Sequence, residues 1–215
     1  MLEYEAIVAR IARDRPGRLL DWGAGFGQVS ALLYRSGVDV TAFDYQPDVE
    51  DGIQPLARYP DLQVHLSGDP RTLPFADASF DSVLSCGVLE HVLDPDASLE
   101  EIRRVLRPDG TLYVFKLPNR WSYLERIARM AGLYYHGAEP HERVYGKREA
   151  CELLERHGFH VTELRRANML PLTLSGRAAA RLGRPIWALN RALARVPGLN
   201  LIATNIELVA TSRSS

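Results

Sequence analysis

Three aspartates follow predicted strands, where a parallel sheet would bring their carboxylates to one edge. Asp21 follows the apolar run 18–20, Asp44 follows the alternating segment 38–43, and Asp69 comes soon after a third predicted strand. A carboxylate at such a strand end can attract a cationic ligand, and at the second strand it can accept from both hydroxyls of a ribose. We therefore expect a ligand site at the carboxyl edge of the sheet.

A glycine-rich loop, residues 21–27 (Asp-Trp-Gly-Ala-Gly-Phe-Gly), connects the first predicted strand to a helix that starts at Gln28. Glycine permits backbone conformations closed to other residues and lets a ligand approach without a Cβ in the way. The dinucleotide pattern Gly-x-Gly-x-x-Gly would need its third glycine at Gln28. Asp21 would repel a pyrophosphate but attract an ammonium or sulfonium. A cofactor that carries such cations is favoured over a nicotinamide dinucleotide.

The loop resembles the first motif of the class I S-adenosylmethionine-dependent methyltransferases, whose cofactor carries both an ammonium and a sulfonium. The similarity extends from Arg18 to Leu117, and 147–165 is similar to the family's penultimate helix and strand. It is greatest to the ubiquinone- and menaquinone-type branch of small methyltransferases, through Leu-Pro-Phe at 73–75 and Leu-Glu-His-Val at 89–92. The resemblance implies S-adenosylmethionine as the cofactor and methyl transfer as the reaction.

The resemblance also implies which residues hold the cofactor. They are Asp21, Gly23, Ala24, Gly25, Gly27, Gln28, Asp44, Tyr45, Gly68, Asp69, Pro70, Cys86, Gly87 and His91. Asp69 would accept from the adenine amine, and backbone carbonyls near Cys86 would accept from the ammonium. Gly87 stands where many relatives have an acidic residue, and His91 stands where the family often keeps a histidine that is not a base.

Strands and helices alternate along the chain, which predicts a parallel sheet with helices on both faces. The expected fold is Rossmann-like α/β, a seven-stranded, mostly parallel sheet with an antiparallel last strand, in a single domain 1–215. Beyond the loop, the segments predicted are helices at 2–13, from Pro47 and at 94–106, a turn at 107–110, and strands at 82–85, 111–117 and 200–211.

Two segments fall outside the shared core and are expected to serve the acceptor. The first, 118–146, is rich in aromatic residues and histidines. A hydroxyl acceptor needs a general base, for which His136 and His141 are the candidates. The second, 168–199, is basic: between Leu164 and Ile206 there are seven arginines and no acidic residue.

The basic segment has a helical pattern. Its apolar residues recur at spacings of three and four with arginines opposite, and Pro185 is expected to split it into two helices. Such a helix can contact an anionic membrane surface or an anionic acceptor through 177–195, although a solvated helical face has the same pattern.

Charge and cysteine content exclude several classes. The formal net charge is −1, which predicts no general attraction to nucleic acid. The two cysteines are far apart and suit neither a metal site nor a disulfide scaffold, and the N-terminus lacks a signal-peptide pattern. We expect a cytoplasmic protein, or one peripheral to the membrane, without a metal site.

The expected function is methyl transfer to a small-molecule, sugar or lipid-linked acceptor, and the aromatic and histidine-rich segment 118–146 favours oxygen as the target. A noncatalytic S-adenosylmethionine-binding regulator remains an alternative, because it would keep the cofactor loop. A nicotinamide-dependent oxidoreductase would share the fold and is less favoured because of Asp21 and Gln28.

Overall fold

The computed structural model describes residues 2–45, 59–69, 71–134, 137–138, 142–170 and 176–213, and for 176–182 it describes the backbone. The strands are β1 (Arg18–Trp22), β2 (Asp39–Tyr45), β3 (Gln63–Ser67), β4 (Phe80–Cys86), β5 (Leu106–Pro118), β6 (Phe159–Ala167) and β7 (Asn205–Ser212). The helices are α1 (Leu2–Asp14), α2 (Gln28–Arg35), α3 (Pro95–Val105), α4 (Tyr123–Met130), α5 (Lys147–Arg156) and α6 (Gly176–Leu193), with a 3-10 turn at Leu199–Ile202.

The seven strands form one sheet in the order β3-β2-β1-β4-β5-β7-β6. Strands β1 to β5 pair in parallel, whereas β7 is antiparallel to both β5 and β6. The predicted Rossmann-like sheet with an antiparallel last strand is confirmed. The strand order reverses between β1 and β4, and ligands of such sheets bind in the crevice beyond the carboxyl ends at this reversal.

Helices cover both faces of the sheet, as predicted. On one face Leu99 of α3 and Leu153 of α5 pack in a cluster with Trp22 of β1. On the other face Ile7 of α1 and Leu33 of α2 belong to a second buried cluster. Burial on both faces of the sheet is the main source of its stability.

Local signals set the ends of two helices near the site. Gly27 caps α2 with a φ of 69°, and Asp94 caps α3 by accepting a hydrogen bond from the Ala97 backbone N–H at 3.0 Å. Pro95 occupies the first turn of α3, where a missing N–H has no cost. The helix predicted from Pro47 lies outside the described residues.

The turn predicted at 107–110 is wrong, because these residues are part of β5. The pairing of β4 with β5 jumps from Phe80–Leu106 to Ser82–Thr111, so the extra residues form an irregularity within the strand. Asp109 takes a φ of 61° there. Strand β5 therefore continues through the bend that Pro108 and Gly110 predict.

Helix α6 also differs from its prediction. It runs from Gly176 to Leu193 with Pro185 inside it, so the proline does not divide it. Its buried face includes Asn190, at 1% exposure, whereas Leu189 is 52% exposed. Of the apolar stripe predicted for this segment, Ile186 and Leu193 are partly buried, whereas Leu189 and Val196 are exposed, so the stripe packs only in part. The last strand is shorter than predicted, because 199–202 form the 3-10 turn.

Candidate functional site

The glycine loop follows β1 and turns sharply into α2. The backbone N–H groups of Gly23 and Ala24 both donate to the Phe43 carbonyl of β2, at 2.9 and 3.0 Å. Gly23, Gly25 and Gly27 have φ angles of 78°, 53° and 69°, a region that strongly favours glycine. The conformational reason for three glycines is therefore confirmed.

Two of these glycines have opposite surroundings. A Cβ built at Gly23 would lie 2.4 Å from Val88 Cγ2, so this glycine lets the loop pack against the segment after β4. At Gly25, no atom of the described chain comes within 4 Å of such a Cβ. The loop is held on the Gly23 side and open on the Gly25 side, where a ligand can approach the backbone.

Asp21 lies in β1 at the strand reversal, paired with Ala42 on one side and Leu84 on the other. It is 2% exposed, and the Ser30 hydroxyl of α2 donates to its carboxylate at 2.5 Å. Burial raises the pKa of Asp21 from 3.8 to about 6; the Ser30 hydrogen bond opposes this shift, and the charge of Asp44 adds to it. An ionised carboxylate here is costly, and a ligand cation beside it would relieve the cost.

Asp44 presents its carboxylate to the open side of the loop. The Gly25 N–H donates to Oδ2 at 2.5 Å and the Tyr45 N–H donates to Oδ1 at 2.7 Å. These bonds fix the orientation of a side chain that is 8% exposed. A carboxylate oxygen can accept more than one hydrogen bond, which makes Asp44 a chemically suitable acceptor for a ligand diol.

The third strand end is more open. Asp69 is exposed, and the pKa of its carboxyl is lowered because Thr72 Oγ1 and the Arg71 N–H donate to it. Tyr45 is half-buried, and burial raises the pKa of its hydroxyl. A Cβ at Gly68 would meet no described atom within 4 Å. The adenine role of Asp69 stays a prediction, and Pro70 lies outside the described residues.

At the end of β4, Cys86 lies beside charged residues that the sequence pattern does not reveal. Burial, and next the charge of Asp21, raise the pKa of its thiol, while the nearby Lys116 lowers it. Lys116 of β5 donates to Tyr4 Oη at 3.2 Å and lies 3.9 Å from Glu3. The pKa of Lys116 is raised because Glu3 and Tyr4 outweigh the effect of its burial. The start of α1 therefore covers this part of the edge.

His91 lies between two carboxylates. Its Nε2 is 3.9 Å from Glu90 and its Nδ1 is 3.6 Å from Glu142, and the Tyr134 hydroxyl also donates to Glu142. Both acidic side chains are almost buried, whereas 43% of the imidazole is exposed. The cluster thus offers one accessible imidazole with acidic neighbours.

Arg143 explains how this cluster forms. Its backbone N–H donates to Glu90 O at 2.9 Å, and its guanidinium donates to the Val92 and Leu93 carbonyls at 2.5 and 3.0 Å. These contacts hold Glu142 beside a segment some 50 positions earlier in the chain, a relationship that no sequence spacing signals. His136 and His141, the predicted bases, lie outside the described residues.

The comparisons agree with the fold and the loop. A family model described as a methyltransferase domain matches residues 20–114. The demethylmenaquinone methyltransferase of Beutenbergia cavernae is 45% identical over 117 residues, which cover 53% of this chain and 47% of that protein. The ubiquinone biosynthesis O-methyltransferase of Xanthomonas campestris is 36% identical over 145 residues, which cover 64% and 54%. The chain spans about half the length of these curated relatives.

A solved structure extends the likeness to nearly the whole chain. The S-adenosylmethionine-dependent methyltransferase of Methanosarcina mazei covers 92% of this chain and 92% of its own, with a TM-score of 0.64 at 19% identity. At this identity the likeness concerns the fold.

None of the described helices combines the length and hydropathy needed to cross a membrane.

Proposed function

We propose that the chain is a class I S-adenosylmethionine-dependent methyltransferase, as the family model matched by residues 20–114 and the 45% identical relative support, and that it transfers a methyl group to a hydroxyl oxygen of a small-molecule, sugar or lipid-linked acceptor. The observation that carries this proposal is the pair of buried carboxylates, Asp21 and Asp44, on either side of a glycine loop with an open face at Gly25. Fold alone would not support it, because one fold serves many reactions.

The residues present fit the cofactor. Asp44 would accept from the two ribose hydroxyls, Gly25 would let the cofactor approach the backbone, and Asp21 would favour its positive charge. When bound, S-adenosylmethionine supplies a methyl group on a sulfonium, which is already a strong leaving group. The protein's main task is then to hold the acceptor atom in line with the methyl carbon.

The proposed oxygen target is supported by the imidazole of His91, which lies between two carboxylates. His91 can accept a hydroxyl proton while Glu90 and Glu142 stabilise the resulting positive charge. This role goes beyond the one first predicted for His91, and His136 and His141 remain alternative bases. The name of one relative, an O-methyltransferase of ubiquinone biosynthesis, makes quinol-type hydroxyls the first acceptors to test.

The test of cofactor binding is calorimetry with S-adenosylmethionine, S-adenosylhomocysteine and a nicotinamide dinucleotide. We expect binding of both adenosyl ligands, with affinity falling by at least roughly a hundredfold in Asp44→Ala, since two hydrogen bonds to a charged group are lost. Asp39→Ala, at the exposed start of the same strand, is the matched control and should bind normally. Binding of the dinucleotide alone would reject the proposal in favour of an oxidoreductase.

The test of the reaction is methylation of quinol-type hydroxyls by His91→Asn, His136→Asn and His141→Asn. The base should be the histidine whose loss lowers kcat and removes the acidic limb of the pH–rate profile, because that limb reports the free base. If all three variants retain that limb, the base assignment fails. If no acceptor is methylated although the cofactor binds, the result favours the alternative of a noncatalytic S-adenosylmethionine-binding regulator.

A further inference from the structure

A cleft of about 660 Å³ lies away from the glycine loop, between α1, the end of β6 and α6. Among the described residues, seven cationic and four acidic side chains line it, so positive charge is in excess. Trp187 of α6 adds an aromatic surface. The arginine-rich segment noted in the sequence therefore contributes one wall of a concave site as well as an exposed helical face.

The acidic side chains of this cleft are already engaged. Glu163 pairs with Arg10 at 2.5 Å, and Glu207 pairs with Arg165 at 2.5 Å. Glu3 accepts from Asn168 and lies 3.9 Å from Lys116. The fourth acid, Asp14, accepts from the Tyr113 hydroxyl at 3.3 Å. None of these acids is a counter-ion for the remaining arginines.

Four arginines of the cleft are left for a ligand. Arg13, Arg166, Arg191 and Arg195 line it, and within the described part of the chain no carboxylate lies within the 4.0 Å of an ion pair from any of them. The Arg166 Nε is buried and makes no hydrogen bond to any described group. A buried donor without an acceptor is costly, and planar guanidinium groups match phosphate oxygens well.

A hydrogen-bonded chain connects the three walls. The Asn190 amide of α6 donates to Asn168 Oδ1 at 3.1 Å, and Asn168 in turn donates to Glu3 of α1. The Asn190 oxygen also accepts from the Met169 and Leu170 N–H groups, at 2.5 and 2.9 Å. These residues are largely buried, so their hydrogen bonds fix α1, the end of β6 and α6 relative to one another. The arginines on these elements are therefore held at a defined spacing.

One lining residue of the cleft, Glu3, connects it to the candidate site. Glu3 lines the cleft and contacts Lys116, and both residues act electrostatically on Cys86 at the end of β4. We infer that the cleft between α1, β6 and α6 binds a phosphate or pyrophosphate group, and that this group belongs to the methyl acceptor. The second half of the inference rests on the proposed function.

The experiment is calorimetry of the full chain with inorganic phosphate and inorganic pyrophosphate. The test variant is Arg191→Gln/Arg195→Gln, which changes two exposed side chains of the cleft and leaves Arg166, whose Nε is buried, unchanged. The matched control is Arg184→Gln, an exposed arginine of the same helix that is outside the cleft lining. We expect pyrophosphate affinity to fall by about tenfold or more in the double variant, and to stay within about twofold in the control.

Vesicles distinguish a soluble phosphate from a lipid headgroup. If pyrophosphate does not bind, but phosphatidylglycerol vesicles are retained over phosphatidylcholine vesicles and the double variant loses this retention, the phosphate is that of a lipid. If neither probe binds, or if the double variant and Arg184→Gln behave alike, the inference is overturned. Calorimetry with S-adenosylmethionine runs in parallel: if that cofactor fails to bind while pyrophosphate binds, the anion site stands and its link to an acceptor falls.

Discussion

The proposed cofactor side and the proposed acceptor side of the carboxyl edge are built from contacts of very different range. On the cofactor side, Ser30 reaches Asp21 over nine residues, and Gly25 reaches Asp44 over 19. On the acceptor side, Lys116 reaches Tyr4 over 112 residues, and Asn168 reaches Glu3 over 165. The first side is therefore readable from local sequence, whereas the second depends on how distant segments pack.

Burial differs as well. Asp21 and Asp44 are both more than nine-tenths buried, whereas α4, which lies within the predicted acceptor segment 118–146, has no buried residue. Met130 and Tyr134 are 88% and 65% exposed. Burial makes the ionised carboxylate of Asp21 costly on the proposed cofactor side, whereas the proposed acceptor side exposes apolar and basic side chains. This contrast suits a shared cofactor and a variable acceptor.

The largest expected effect is a difference in stability between a substitution at Gly23, where the loop packs against Val88, and one at Gly25, where it is open. Gly23→Ala combines a φ of 78° with a clash against Val88, so we expect a loss of roughly 4 kcal/mol in the free energy of unfolding. Gly25→Ala has the unfavourable positive φ but no clash, so its free energy of unfolding should fall by about 1 to 2 kcal/mol. Urea unfolding of both variants measures the difference, and equal losses would contradict the contrast between the two positions.

The next prediction concerns the free-energy cost of burying the ionised carboxylate of Asp21. Its pKa is about 6 in the folded protein against 3.8 ordinarily, so at pH 8 the carboxylate is ionised in both states and destabilises the fold. Asp21→Asn, which can still accept from Ser30, should be more stable than the wild type at pH 8 by up to about 3 kcal/mol. The gain should shrink as the pH falls through 6 and vanish below about 3.8.

Thermal unfolding of both proteins between pH 4 and pH 8 measures this gain, with Asp39→Asn at an exposed position as the control. The same Asp21→Asn variant should bind S-adenosylmethionine more weakly, because the carboxylate charge that attracts the cofactor is gone. A variant that is no more stable at pH 8 would show that burial does not strain this carboxylate.

The smallest effect tests the independence of the acceptor side. Asn190→Ala removes the amide that joins α6 to Asn168 and leaves two backbone N–H groups without their acceptor, so we expect a loss of about 2 kcal/mol. Pyrophosphate affinity should fall with it, while S-adenosylmethionine affinity should not change. The control is Arg184→Ala on the same helix, and a parallel loss of cofactor binding would mean that the two sides are one cooperative unit.

The sequence by itself determined the fold class and the cofactor side. The positions of Asp21 and Asp44 after predicted strands, and three glycines with positive φ, follow from chain-local rules of strand, turn and helix. The chemical roles of these residues and the extent of the domain stay predictions. Local rules suffice on this side because a strand, a tight turn and a helix cap are each set by neighbouring residues.

Only the tertiary structure decided the acceptor side. Pro185 and the 107–110 segment were expected to interrupt their elements, yet packing and strand pairing keep α6 and β5 continuous. The placement of Glu142 beside His91, and of Asn190 rather than Leu189 on the packed face of α6, depends on hydrogen bonds between distant segments. Such bonds leave no periodic pattern in the sequence, because the fold, and not the spacing along the chain, determines which residues meet.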